Sequence, residues 1–160
     1  DSDPYYSREW KMSEPVAAGQ FSMEFSKSYM PTEKTVWGKI SAERRGLVNL
    51  TRKFGQSDPR RIVWLKVKIT SAMRQQKMLD LGFSDEVWVL LNGRVLYIDS
   101  NLYGHPIMKE PDGRLSLSNS SFEIPFQEGD NELLIGVANN FFGWGITARF
   151  KDLNGLTVEK

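Results

Sequence analysis

The chain of 160 residues contains no cysteine and a single histidine, His105. The first absence excludes a disulfide framework, thiolate ligation of zinc or iron–sulfur clusters, and a cysteine nucleophile. The second excludes a multi-histidine metal centre and leaves serine chemistry of the usual kind only one base. No serine carries the glycine pattern of a nucleophile elbow. An excess of charge is missing too: 21 Lys and Arg stand against 20 Asp and Glu, a formal net charge of +1. Such an even balance sets up no general field for nucleic acid, and none is expected as a partner. No apolar run approaches the length of a membrane-spanning helix, and no phosphate-cradling glycine loop occurs. Amphipathic helical windows are scarce, Ser41–Leu50 and Ser71–Met78 being the best short candidates. Asp1–Tyr6 has neither the basic nor the apolar region of a leader, so composition leaves the compartment open.

What is present points to strands and turns. Aromatic residues make up 12% of the chain, and 13 glycines punctuate it. In Ile62–Thr70, Val63, Leu65, Val67 and Ile69 share one face while Lys66 and Lys68 take the other, the pattern of a half-buried strand. Phe21, Met23 and Phe25 alternate with Ser22 and Glu24. Met78–Phe83 is apolar but holds Gly82, which marks a bulge or a close backbone approach. The strongest local signal is Val87–Ile98, two apolar runs joined by Asn92-Gly93. That dipeptide suits a two-residue type I′ turn, in which both central residues need positive φ. A looser stretch from Asp99 to Ser121 follows, with Leu115 and Leu117 as a brief strand. Phe122, Ile124 and Phe126 then alternate around Pro125, which places this strand at a sheet edge or a bulge. Leu133, Ile135 and Val137 begin an inward face with Leu134 opposite, and Ile146, Ala148 and Phe150 form a late strand. Trp64 and Trp88 lie opposite the main apolar rows, as a second layer. Roughly seven to nine short strands at intervals near ten residues suit an all-β antiparallel sandwich or jelly roll. One such domain is expected over residues 21–160, with residues 1–20 as an N-terminal extension packing on it or leading into it.

Val89-Leu90-Leu91-Asn92-Gly93 resembles the V-x-L-N-G hairpin of the sugar-binding jelly-roll domain in β-galactosidases and β-glucuronidases. Gln127–Val137 is similar to that domain's G-x-N-x-L-x-V-x-V turn and strand, in the same order. A closer resemblance is to an uncharacterised bacterial group within the galactose-binding-like superfamily. It rests on Leu81-Gly82-Phe83-Ser84-Asp85, Asn92-Gly93, Arg45–Leu50 and Phe142-Gly143-Trp144-Gly145, and runs from about Trp37 to Phe150. The resemblance implies a β-sandwich that binds carbohydrate or serves as an accessory module of carbohydrate enzymes. Relatives of this fold also bind other partners, so fold alone does not assign a ligand. Some hold a structural calcium, for which Asp85, Asp112 and Asp130 are the acids on offer. No run has the spacing of an EF-hand loop, and neither a metal set nor a cofactor is assigned.

Sugar binding needs an aromatic ring against the C–H face of a pyranose and polar groups on its hydroxyls, carried by loops on a rigid sheet. Two loops qualify. Asp99–Lys109 offers Asn101, Tyr103 and His105, with Arg94 and Asp99 near by in sequence. Asn139–Gly145 offers Asn139, Asn140, Phe141, Phe142 and Trp144. Each residue has a second reading. Trp144 between Gly143 and Gly145 is either a stacking platform or a plug at a tight crossing, and Asn139-Asn140 either reads hydroxyls or supplies turn chemistry. The basic pairs Arg44-Arg45, Arg52-Lys53 and Arg60-Arg61 read as solvated surface. No paired acids are flagged for glycosidase chemistry, since adjacent Asp85 and Glu86 would point to opposite faces of a strand. The expectation is a non-catalytic carbohydrate-binding-like module, extracytoplasmic (periplasmic or secreted), with no catalytic residues. The alternative is a protein-interaction or structural accessory module whose stretch before Phe21, with Trp10 and Met12, packs on a neighbour.

Overall fold

A computed structural model describes residues 3–18, 27–55, 60–101, 109, 114–139 and 143–160. The Asn-Gly signal forms the expected hairpin, β7 (Glu86–Leu91) paired antiparallel with β8 (Arg94–Ser100). Asn92 and Gly93 take φ values of 51° and 81°, the left-handed pair that a type I′ turn requires. Among the described residues, two antiparallel sheets account for the strands. The larger runs β3 (Trp37–Ser41), β1 (Glu9–Ser13), β5 (Arg61–Ser71), β10 (Gly129–Ala138), β7, β8. The short strands β2 (Val16–Ala17) and β12 (Leu156–Val158) also pair with β5. The smaller sheet runs β4 (Leu47–Asn49), β11 (Gly145–Phe150), β6 (Gln75–Ser84), β9 (Ser120–Phe126). The molecule is an all-β antiparallel sandwich.

Alternation explains the core between the sheets. Val63, Leu65, Val67 and Ile69 of β5 and Leu133, Ile135 and Val137 of β10 meet Leu79, Leu81 and Phe83 of β6 and Ile146, Ala148 and Phe150 of β11. Trp10 and Met12 are buried in this same core, because β1 is an interior strand between β3 and β5. Pro125 lies on β9, at the edge of the smaller sheet, where a missing ladder donor is tolerated. Gly82 marks a close approach: a Cβ there would sit 2.5 Å from the Ser116 carbonyl oxygen.

The larger sheet departs from the half-buried expectation. Its outer face carries a second apolar cluster of Ile62, Trp64, Trp88, Leu90, Leu134 and Ala138, against which Ala18, Tyr29, Met30 and Trp37 pack. The Trp64 Nε1–H donates to the Tyr29 carbonyl at 2.7 Å. β5 is therefore buried on both faces from Ile62 to Leu65, and only from Lys66 onward do outward residues reach solvent. Other expectations are also corrected. Ser71–Met78 is the end of β5, a turn and the start of β6, and Ser41–Leu50 contains β4. The one α-helix among the described residues, α1 (Leu50–Phe54), is a single turn capped by Asn49, whose Oδ1 accepts from the Arg52 N–H at 2.9 Å. Leu115 and Leu117 are not in a strand. The alternation expected at Phe21–Phe25 lies outside the described residues.

The turn into β10 is held by one buried amide. Asn131 Nδ2 donates to the Gln127 and Gly129 carbonyls at 2.9 and 3.0 Å, while Oδ1 accepts from the Gln127 N–H and Asn92 Nδ2, each at 3.0 Å. It joins the β9–β10 turn to the tip of the β7–β8 hairpin. Asn131→Ala strands these groups, and a loss of about 2 kcal/mol is expected from urea unfolding. A loss below a few tenths of a kcal/mol would show that water replaces the amide.

Candidate functional site

Strand polarity decides which loops can meet. β6 ends and β7 begins at Ser84–Glu86, β8 ends at Ser100 and β10 at Ala138, so these ends share one pole of the sandwich. The corner residue Asp85 ties them together through its backbone. Its N–H donates to the Ala138 carbonyl at 3.0 Å, and its carbonyl accepts from the Asn101 N–H at 2.7 Å. The stems of the two candidate loops thus stand on either side of Asp85.

Each stem is locked by an asparagine. Asn101 is fully buried, its Nδ2 donating to the Phe83 carbonyl at 2.8 Å and its Oδ1 accepting from the Lys109 N–H at 2.9 Å. Asn119 works beside it, its Oδ1 accepting from the Phe83 and Ser116 N–H groups at 3.1 and 3.0 Å. Asn139 is 1% exposed and bonds β5: its Oδ1 accepts from the Arg61 N–H at 2.6 Å and its own N–H donates to the Arg61 carbonyl at 3.2 Å. Ser84 Oγ lies 2.7 Å from Asp85 Oδ1 and 3.2 Å from the Gly143 carbonyl oxygen. Asp99 accepts from the Tyr97 hydroxyl and pairs with Lys109 Nζ at 2.6 Å. Burial raises the Tyr97 hydroxyl pKa, and the Asp99 carboxylate adds to the rise.

Trp144 is 3% exposed and belongs to the main core. Its Nε1–H donates to the Gly55 carbonyl at 3.0 Å, and its ring lies 6.2 Å from the Phe54 ring and 5.4 Å from the Arg61 guanidinium carbon. Its backbone N–H donates to Thr51 Oγ1 at 2.7 Å. Trp144 and Asn139 therefore anchor the second loop from inside the fold. Tyr103, His105, Asn140, Phe141 and Phe142 lie outside the described residues. Arg94, adjacent to the first loop in sequence, stands at the far pole, since the seven extended residues of β8 span about 20 Å.

A buried ion pair escaped the reading of Arg60-Arg61 as solvated surface. Arg60 is 9% exposed, and its Nε donates to Glu86 Oε1 at 2.7 Å. Its guanidinium also sits 5.7 Å from the centre of the Trp88 ring. Burial pushes the Glu86 carboxyl up to about 7; the Arg60 charge pulls against this rise and the neighbouring Asp85 adds to it. Nothing in the local pattern signals that pair, because its burial comes from strands paired far apart in sequence. Among the described residues no group of three His, Cys, Asp or Glu side chains gathers to hold a metal, and Asp130 is paired with Lys68 at the far pole. Asp112 lies outside the described residues. No helix among the described residues is long and apolar enough to cross a membrane.

No family model matches the sequence, and no curated protein matches it. Solved structures do match in fold. A β-glucosidase from Kluyveromyces marxianus in complex with glucose aligns at a TM-score of 0.53 and 10% identity over 94% of this chain, and its selenomethionine-labelled form at 0.54 and 11% over 88%. In both, the chain spans 16% of that enzyme's length. A family 35 carbohydrate binding module from an environmental isolate aligns at a TM-score of 0.44 and 15% identity, over 60% of this chain and 69% of that one. With the two sheets and their order already established, the two β-glucosidase likenesses bear on architecture alone: the chain shares an antiparallel β-sandwich fold with a part of that enzyme.

Proposed function

We propose that this domain is a non-catalytic carbohydrate-binding module whose ligand lies against the loops Asp99–Lys109 and Asn139–Gly145. The observation that carries this reading is the pair of loop stems bonded to the two sides of Asp85, which gives both loops one rigid base. A base of this kind limits the entropy lost when loop side chains close on a ligand. Tyr103 and Phe142 are assigned to the apolar face of the sugar, and His105 and Asn140 to its hydroxyls. Asn139 and Trp144 position the second loop. The likeness to a part of a β-glucosidase fits an accessory role, and an extracytoplasmic location goes with it. The burial of Asp85 and Glu86, 3% and 1% exposed, fits a non-catalytic reading.

Calorimetric titration with a panel of neutral oligosaccharides tests the site. At least one ligand is expected to bind, and Tyr103→Ala and Phe142→Ala are each expected to weaken it about tenfold or more. A ligand whose affinity ignores both changes would remove these loops as the site. If no saccharide binds, the protein-interaction module is the better reading.

A further inference from the structure

We propose that the opposite pole of the sandwich holds a second site, a groove for an acidic oligosaccharide. The proposal rests on the reading of the domain as a carbohydrate binder but uses none of the loop residues above. Edge strands β8 and β9 are joined across the two sheets by Tyr97 and Phe122, whose rings stack with centres 4.4 Å apart. Beyond this stack, toward the Asn92-Gly93 tip, the same two strands, the end of β7, and the β5–β6 turn with the start of β6 line a groove of about 780 Å³. That volume falls within the roughly 300–1,000 Å³ usual for small-ligand clefts.

The chemistry of the lining is selective. Arg74 and Arg94 contribute guanidinium groups, Gln76 and Gln127 carboxamides, and Leu96 and Pro125 apolar surface, and no carboxylate lines the groove. Among the described residues neither arginine is in an ion pair, whereas Lys68, Lys77, Lys109, Arg149 and Lys151 each sit on an aspartate. Gln127 donates through Nε2 to the Asp130 carbonyl at 3.0 Å, which fixes its carboxamide and leaves Oε1 as an acceptor. Guanidinium forks bind carboxylate or sulfate oxygens two at a time, and they do so better than a point charge. Amides both donate to and accept from hydroxyls. An inorganic anion would use the arginines alone, and an apolar ligand would leave them unused. A sugar carrying acid groups uses the arginines, the amides and the apolar wall together.

Three probes separate the sources of negative charge: trigalacturonic acid for carboxylate, a carrageenan oligosaccharide for sulfate, and cellotriose as a neutral control. Titration of the whole domain is expected to show binding of at least one acidic probe. That binding should weaken about tenfold in each of Arg74→Ala and Arg94→Ala and weaken again at high salt. Both arginines are exposed, so thermal melting should confirm that the variants fold like the parent. Tyr103→Ala and Phe142→Ala should leave the acidic probe's affinity at the groove unchanged. Binding of the sulfated probe alone supports the site and names its anion. Acidic binding that survives both arginine changes but is lost in the loop variants overturns the groove and leaves the carbohydrate reading intact. Equal weakening of cellotriose and the acidic probes overturns the acidic specificity. Silence of all three, together with the neutral panel, overturns both readings.

Discussion

Trp144→Ala is expected to destabilise the domain by about 3–5 kcal/mol, the range for removing a buried tryptophan ring. For a chain of this size that lowers the melting temperature by roughly 10 °C. The ring fills space beside Phe54, and its Nε1–H satisfies the Gly55 carbonyl at the end of α1. Trp144→Phe keeps most of the packing and loses that hydrogen bond, so a smaller loss of about 1 kcal/mol is expected. Calorimetric melting of both variants measures the difference. A Trp144→Ala protein that melts like the parent yet loses sugar affinity would make the ring a binding platform.

The second large effect depends on pH. Glu86 has its folded pKa raised to about 7 from an ordinary 4.5, so the folded state binds the extra proton between these values. Wild-type stability therefore declines as pH rises from about 4.5 to 7 and levels off above, once the carboxylate is ionised in both states. Arg60→Met removes the cation that offsets this burial, raises the carboxyl further and carries the decline to higher pH. At pH 5 both proteins hold a protonated Glu86, and the variant should lose about 1 kcal/mol, the contact with Trp88. At pH 9 the carboxylate is charged, buried and without its cation, and the loss should grow to about 3–5 kcal/mol. Urea unfolding at pH 5, 7 and 9 reads this slope directly. Glu86→Gln in the Arg60→Met background should flatten it, and a penalty equal at every pH would falsify the account.

The two loops were readable in the sequence as loops, and the partners that fix their stems were not. Asn139 offered two roles in sequence, a sugar contact or a local turn, and the structure shows a third in which it bonds Arg61 across the sheet. Trp144 between its glycines read as either a stacking platform or a plug, and the groups that receive it, Phe54 and the capping Gly55, belong to a one-turn helix too short to show a helical period. Arg60 looked solvated because its neighbours in sequence are polar, while its burial is created by Glu86 and Trp88 from another strand. The Arg74–Arg94 groove joins residues of two sheets that no spacing in the chain connects.

Alternation and turn chemistry in the sequence alone marked β5, β6, β9, β10 and β11, the Asn-Gly hairpin of β7 and β8 and the inward faces of β5, β10 and β11, and confined Pro125 to an edge or a bulge, whereas β1, β3 and β4 carried no readable alternation. These are local properties: a period of two and a demand for positive φ act over a few residues. Only tertiary structure decided that the larger sheet is covered on both faces, that the two loop stems share a pole with Asp85, and that Arg94 belongs to the other. Those outcomes follow from pairing between distant strands, where free energy depends on which surfaces are brought together and not on the residues that precede or follow.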